Sequence, residues 1–185
     1  MCGILGFASQ VVIKEREKYL LGANLLNHRG PDDSGEWWSD EGHVGFAHKR
    51  LSIIDLSEKG HQPMTESSGR YTIVFNGEIY NYRELYNSLS SKGFSFFSQS
   101  DTEVILNAYS EWGEECVYHL NGMFAFAIYD SLKKILFCSR DRAGEKPLYY
   151  QYNDGIFRFS SELKSLLTDN SLSRKINFES LDCYL

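Results

Sequence analysis

The residue best equipped for chemistry stands at the amino terminus, in the run Met1-Cys2-Gly3-Ile4-Leu5-Gly6. Removal of Met1 would make Cys2 the first residue, with a thiol and a free α-amine on one carbon skeleton. The ordinary pKa of a thiol is about 8.5 and that of an α-amine about 7.7–8.0, so near neutral pH part of the amine is uncharged and able to take a proton. Nucleophile and general base are then the same residue, as in threonine nucleophiles served by their own amine. The small side chain at position 2 suits methionine removal, and Gly3 leaves room beside the sulfur. The apolar run from Ile4 to Ala8 is expected to be a buried strand that anchors the site. Taken alone, Cys2 also reads as a small buried hydrophobe, so other residues have to decide.

Three further positions have the right chemistry. Asn76-Gly77 lies where the strand Tyr71–Phe75 meets Asn-Gly, a strong short turn signal. A side-chain amide N–H and a backbone N–H at such a turn can both face a developing oxyanion; a plain turn is the alternative. Arg50 precedes an apolar segment, and a guanidinium can hold a carboxylate through two parallel hydrogen bonds; a surface charge is the alternative. Asp101 stands at a predicted helix start, where it is either a first-turn acid or an acceptor for an ammonium. Arg50 and Asp101 together match the two charges of an α-amino acid. With a nucleophile and oxyanion donors added, the set suggests amide hydrolysis on an amino-acid side chain.

The totals bound the possibilities. A chain of 185 residues is one domain large enough for a substantial core. Its 42% hydrophobic and 24% charged residues are those of a soluble globular protein, and the 15% aromatic content suggests sheet-rich packing. A net charge of -6 argues against general nucleic-acid binding, which needs a basic face. No apolar run approaches the roughly 20 residues of a membrane span, and without a signal peptide the expected location is the cytoplasm. Cys2, Cys116, Cys138 and Cys183 form no CxxC pair, so neither a zinc site nor a disulfide framework is expected.

The elements that must position these residues follow from pattern. A helix is expected over Lys14–Leu26 and two short strands over Gly35–Trp38 and Val44–His48. Arg50 to Asp55 reads as extended and Lys59–Met64 as loop. Asn81 with Glu84, and Ser100 with Glu103, have capping-box spacing for helices to Leu89 and from Thr102 to Trp112. A short helix is expected over Glu115–Leu120. Strands follow at Met123–Asp130, Lys134–Arg140, Leu148–Tyr152 and Ile156–Ser160, then helices from Glu162 to Leu167 and after Asn177. The run Met123 to Tyr129 is apolar without alternation, as in a strand covered on both faces. The sum is α+β, most simply two stacked antiparallel sheets with helices outside.

Motifs along nearly the whole chain give it a further identity. They are Met1-Cys2-Gly3-Ile4, His28-Arg29-Gly30-Pro31-Asp32-Asp33-Ser34-Gly35, Arg50-Leu51-Ser52-Ile53-Ile54-Asp55 and Asn76-Gly77-Glu78-Ile79-Tyr80-Asn81. Ser100-Asp101-Thr102-Glu103, Asn121-Gly122-Met123-Phe124-Ala125-Phe126, Arg140-Asp141-Arg142 and Ser160-Ser161-Glu162-Leu163-Lys164 complete them. Together and in order, they resemble the class II glutamine amidotransferase family, in particular the N-terminal glutaminase domain of glutamine-hydrolysing asparagine synthetases. Arg-Gly-Pro-Asp in the second motif resembles the synthetase branch.

The resemblance implies a four-layer αββα sandwich of the N-terminal-nucleophile hydrolase type over residues 2–185. It implies Cys2 as nucleophile with its amine as base, and Asn76 and Gly77 as the oxyanion hole. Arg50 and Asp101 would anchor L-glutamine, with Leu51, Ser52, Ile53, Ile54 and Glu78 completing the pocket. No metal or cofactor is implied for this half-reaction. ATP and Mg are expected only in a C-terminal synthetase domain, whose glycine- and serine-rich phosphate loop is not in this sequence, so the chain reads as an excised domain or a truncated product whose residues 161–185 approach that partner. Oligomerisation is left open. Two other readings stand beside this one: the same glutaminase serving a sugar or another carboxylate, and a non-catalytic glutamine-binding regulatory domain. The presence of Cys2, Arg50, Asn76 and Asp101 together favours the enzyme.

Overall fold

The apolar runs become two antiparallel sheets stacked face to face. The structure, a computed structural model, describes residues 1–14, 16–168, 176 and 178–184. Its strands are β1 (Gly3–Ser9), β2 (Asp33–Trp38), β3 (Val44–Arg50), β4 (Met64–Thr65), β5 (Tyr71–Ile79), β6 (Gly122–Asp130), β7 (Ile135–Arg140), β8 (Tyr149–Asn153) and β9 (Ile156–Ser160). The first sheet has the order β2-β3-β1-β9-β8 and the second β4-β5-β6-β7. The helices are α1 (Arg16–Asn24), α2 (Tyr82–Ser91), α3 (Asp101–Trp112), α4 (Leu163–Leu166) and α5 (Phe178–Tyr184).

Alternation along the strands creates the layers. Ile4, Phe46, Val74, Ala125, Ala127 and Phe159 meet between the sheets. The next residue along each strand turns outward. Leu5 and Ala47 pack with Ala23, Leu26 and Leu166, beneath α1 and α4. Ile73, Phe75, Phe126 and Ile128 pack against Leu85 and Leu89 of α2 and Ile105 of α3. Helix, sheet, sheet, helix is the αββα order, and β6 is apolar from Met123 to Tyr129 because both of its faces are covered. Isolated helices shorter than roughly 12–15 residues are marginal in water, so packing on the sheets holds α1 (9 residues) and α2 (10 residues) in place.

Local signals were overruled in several places. The expected turn at Asn76-Gly77 does not form. β5 runs on to Ile79, with Asn76 opposite Ala125 and Gly77 opposite Phe124. The ladder with β6 outweighs the turn preference of the dipeptide, and the glycine serves close approach instead: a Cβ at Gly77 would lie 2.2 Å from the Met123 carbonyl oxygen and 2.8 Å from Phe124 Cα. Asn81 precedes α2 but does not cap it. Its amide donates to His119 O (2.9 Å) and its Oδ1 accepts from Asn121 N (3.0 Å), which ties the helix start to the entrance of β6. Ser100 does cap α3 by accepting from Thr102 N at 3.1 Å, while Glu103 turns away to the amides of Phe97 and Ser98. The helix expected over Glu115–Leu120 is a 3₁₀ segment at Gly113–Tyr118. The stretch after Arg50 is bent, not extended, because the guanidinium gathers it inward as described next.

Candidate active site

The alternation that builds the core also aims the site. Ile4 faces the space between the sheets, so Cys2, two residues earlier, faces the same way. Phe46 does too, and after it His48 and Arg50; so does Val74, and after it Asn76. β1 pairs with β3 so that Gly3 sits opposite Lys49, which brings Cys2 to the end of β3. Cys2, Arg50 and Asn76 thus meet at one open end of the sandwich. Asp101, the first residue of α3, reaches the end of β5 there.

One cleft is lined by Cys2, Arg50, Leu51, Ile53, Ile54, Asn76, Gly77, Glu78 and Asp101. Ser52, also singled out from the sequence, is not on its lining; its backbone N–H donates to Asp32 Oδ2 at 2.8 Å. Residues that sequence reasoning passed over also line it, notably Gly60, Gln62 and Lys146. Gln62 had no signal beyond being a polar residue before a proline. It is buried, with Oε1 accepting from Phe75 N (2.7 Å) and Nε2 donating to Thr102 Oγ1 (3.1 Å), so it joins β5 to α3 beneath the cleft.

The Leu51 peptide brackets the Cys2 sulfur: Leu51 N donates to Sγ at 3.4 Å and Sγ donates to Leu51 O at 3.6 Å. Burial pushes the thiol pKa up, against the lowering effects of the Leu51 N–H, the chain's terminal ammonium and the Arg50 charge; the Asp101 charge adds to the rise. Arg29, from the 3₁₀ turn Asn27–Arg29, donates from Nε to Cys2 O at 2.9 Å. The sequence placed Arg29 in a structured loop and assigned it no role at the site.

Arg50 is buried, not a surface charge. Its guanidinium donates to Ser57 O at 3.0 Å and to Asp55 O, which curls residues 51–57 over the cleft. Gly60 makes room for it, since a Cβ there would lie 2.1 Å from Nη2. Beside it His48 is buried, with Nε2 on Phe75 O at 3.1 Å, and burial pulls its pKa down to about 4, so it is neutral at ordinary pH.

Asn76 is 1% exposed, and its Nδ2 has no hydrogen-bond partner among the described residues. Phe124, opposite Gly77, directs both its N–H and its C=O toward Asp141. In an antiparallel ladder the backbone groups of Gly77 therefore point away from β6. Along that edge of β5, Phe75 N–H is taken by Gln62 and Ile79 N–H by Asp101 (3.0 Å). The Gly77 N–H lies between them, on the cleft side. Asp101 is buried, and that burial raises its pKa to about 6 despite the bonds from the amides of Ile79 and α3; the neighbouring Glu78 charge adds to the rise. The arrangement offers a thiol, N–H donors on two consecutive residues of the lining, a buried cation and a buried acid. Among the described residues, no group of three or more His, Cys, Asp or Glu is placed to hold a metal ion, and no helix is long and apolar enough to cross a membrane.

A family model described as the glutamine amidotransferase domain matches residues 1–185. The chain is 42% identical over 181 residues to asparagine synthetase [glutamine-hydrolyzing] 3 of Bacillus subtilis, covering 96% of this chain and 29% of that protein. It is 42% identical over 208 residues to a putative asparagine synthetase [glutamine-hydrolyzing] 2 of Methanocaldococcus jannaschii, covering 100% of this chain and 39% of that protein. It therefore spans between 29% and 39% of these relatives' lengths. Among solved structures, the glutamine phosphoribosylpyrophosphate amidotransferase of Bacillus subtilis superposes with a TM-score of 0.75 at 19% identity, covering 90% of this chain and 43% of that one, a likeness of fold. The sandwich, the cleft at its open end and a match along the full sequence agree: this chain belongs to the glutamine amidotransferase domain family.

Proposed function

We propose that this chain hydrolyses the side-chain amide of L-glutamine through Cys2 once Met1 is removed. The observation that carries the reading is the buried Asn76 amide N–H, without a partner among the described residues, in the cleft that holds the Cys2 sulfur. A buried donor without a partner costs about 1–3 kcal/mol, and a substrate oxygen arriving there recovers that cost. The α-amine of Cys2 takes the thiol proton and the thiolate attacks the amide carbon. The resulting oxyanion accepts from Asn76 Nδ2 and Gly77 N–H. The C–N bond breaks as the ammonium returns its proton to the leaving nitrogen, giving ammonia and a γ-glutamyl thioester. Water, deprotonated by the same amine, then attacks the thioester to release glutamate and restore the thiol. Arg50 holds the substrate carboxylate and Asp101 its ammonium. No metal or cofactor enters these steps.

Asn76→Ala tests the reading. Its kcat should fall by about 10²–10³ with a much smaller change in KM, as for a typical oxyanion donor. A kcat near that of the wild type in an ammonia-release assay would remove the oxyanion assignment.

The Asp101 role predicts a pH dependence. The ammonium of glutamine needs an ionised partner, and with its pKa held at about 6 Asp101 is charged only above that pH. Below it the free protein holds a neutral acid, and binding has to ionise it first. KM for glutamine should therefore be level above about pH 7 and rise tenfold per unit well below about pH 6. A KM independent of pH down to about 5 would show that Asp101 does not read the ammonium.

The names of the relatives support a destination for the ammonia. In this proposal it serves an ATP- and Mg-dependent synthetase region of the kind that makes asparagine in the cytoplasm, that region being the glutaminase's partner.

A further inference from the structure

We propose that Glu162 is a positioning residue for the nucleophile: its carboxylate fixes the Arg29 guanidinium against the Cys2 carbonyl, and through it the place of Cys2 Cα, from which the amine and the thiol both project into the cleft. The inference rests on the assignment of Cys2 above.

Strand register delivers the acid to the nucleophile. Ser161, next to Glu162, is bound to Ile4 in both directions: Ile4 N donates to Ser161 Oγ at 3.0 Å, and Ser161 N donates to Ile4 O at 2.9 Å. The residue after Ser161 and the residue two before Ile4 therefore share one corner of the first sheet. Arg29 fills the gap between them. Its Nη1 donates to Glu162 Oε1 at 3.0 Å and its Nε to Cys2 O at 2.9 Å. The Arg29 side chain is 9% exposed and that of Glu162 22%, so the arginine end of the pair is the one shielded from water.

Two more groups hold the carboxylate from outside. His28 Nε2 lies 2.8 Å from Oε1 and Lys164 Nζ 3.1 Å from Oε2. Partial burial opposes the charge on Glu162, but the bonds from Arg29, His28 and Lys164 outweigh it and bring its pKa down to about 2. The acid is thus ionised wherever the reaction runs.

A contribution to stability alone does not account for this geometry. The His28 and Lys164 side chains are half exposed, and exposed pairs contribute little. The Arg29 leg is the shielded one, and it ends on the backbone of Cys2. Holding that carbonyl fixes the peptide plane that contains the Cys2 Cα, and so the point from which amine and thiol reach the cleft. Misplacing a reacting group by about 1 Å can cost as much as 10²-fold in rate.

The test uses the 185-residue chain with Met1 removed and compares wild type, Glu162→Gln, Arg29→Met and the double variant in glutamine hydrolysis. Glu162→Gln should lower kcat by about tenfold or more with KM within about twofold of wild type. The double variant should be no slower than Arg29→Met, because Glu162 acts through Arg29. A kcat within about twofold of wild type, or losses that multiply in the double variant, would overturn the proposal. If Glu162→Gln shows no cooperative thermal transition, Glu162→Asp replaces it under the same criteria, since the shorter acid keeps the charge but withdraws it from Arg29. An inactive wild type would overturn the Cys2 assignment and this inference with it, whereas an active wild type with an unaffected Glu162→Gln overturns this inference alone.

Discussion

Cys2→Ala is expected to abolish release of ammonia and glutamate, lowering kcat by about 10⁴-fold or more, the scale seen when a covalent nucleophile is removed. The other thiols are not placed to take over. Cys116 and Cys138 are pushed up to about 12 by burial, so neither supplies thiolate at working pH, and neither lines the cleft. Cys183 is exposed on α5, and it too is absent from the lining. Cys2 is also pushed up by burial, yet alone among them it has the Leu51 N–H, a terminal ammonium and the Arg50 charge working the other way. It stands ahead of β1 and belongs to none of the core clusters, so its replacement should leave the thermal unfolding midpoint nearly unchanged. A glutamine analogue bearing an electrophile should add one mass increment, mapped to Cys2. Label at Cys116, Cys138 or Cys183, or turnover that survives Cys2→Ala, would end the nucleophile assignment.

Chain that retains Met1 is expected to have little or no glutaminase activity, and methionine removal to switch it on. With Met1 attached, the nitrogen of Cys2 is an amide without a basic lone pair. General-base assistance of about 10²–10⁴-fold is then lost, and the thiol must ionise without a base of its own from a site whose burial raises its pKa. Met1 also lines the same cleft as Cys2, Asn76 and Asp101, so it takes up space where glutamine should sit. Intact mass spectrometry separates the two species, and an ammonia-release assay on each reads the result. Equal rates would mean that the α-amine is not the base.

The sequence alone determined which groups are present and roughly which elements bear them. Cys2, Arg50, Asn76 and Asp101 could be singled out as candidates because their chemistry belongs to the side chains themselves, and the structure brings all four to one cleft. The strands were legible because apolar runs such as Met123 to Tyr129 record burial on both faces wherever the chain goes. What the residues do to one another was decided by the tertiary structure. Asn-Gly is a turn signal when only its neighbours count, but nine ladder positions with β6 carry β5 straight through it. That straight strand, not a turn, is what leaves the Gly77 N–H between two amides already taken by Gln62 and Asp101. Arg29 and Glu162 lie 133 residues apart, and Gln62 and Lys146 gave no local sign of reaching the cleft. Periodicity and propensity report on a few neighbours along the chain, whereas hydrogen-bond direction, burial and the pKa shifts that follow from it are set by which strands pair, and pairing is a long-range property.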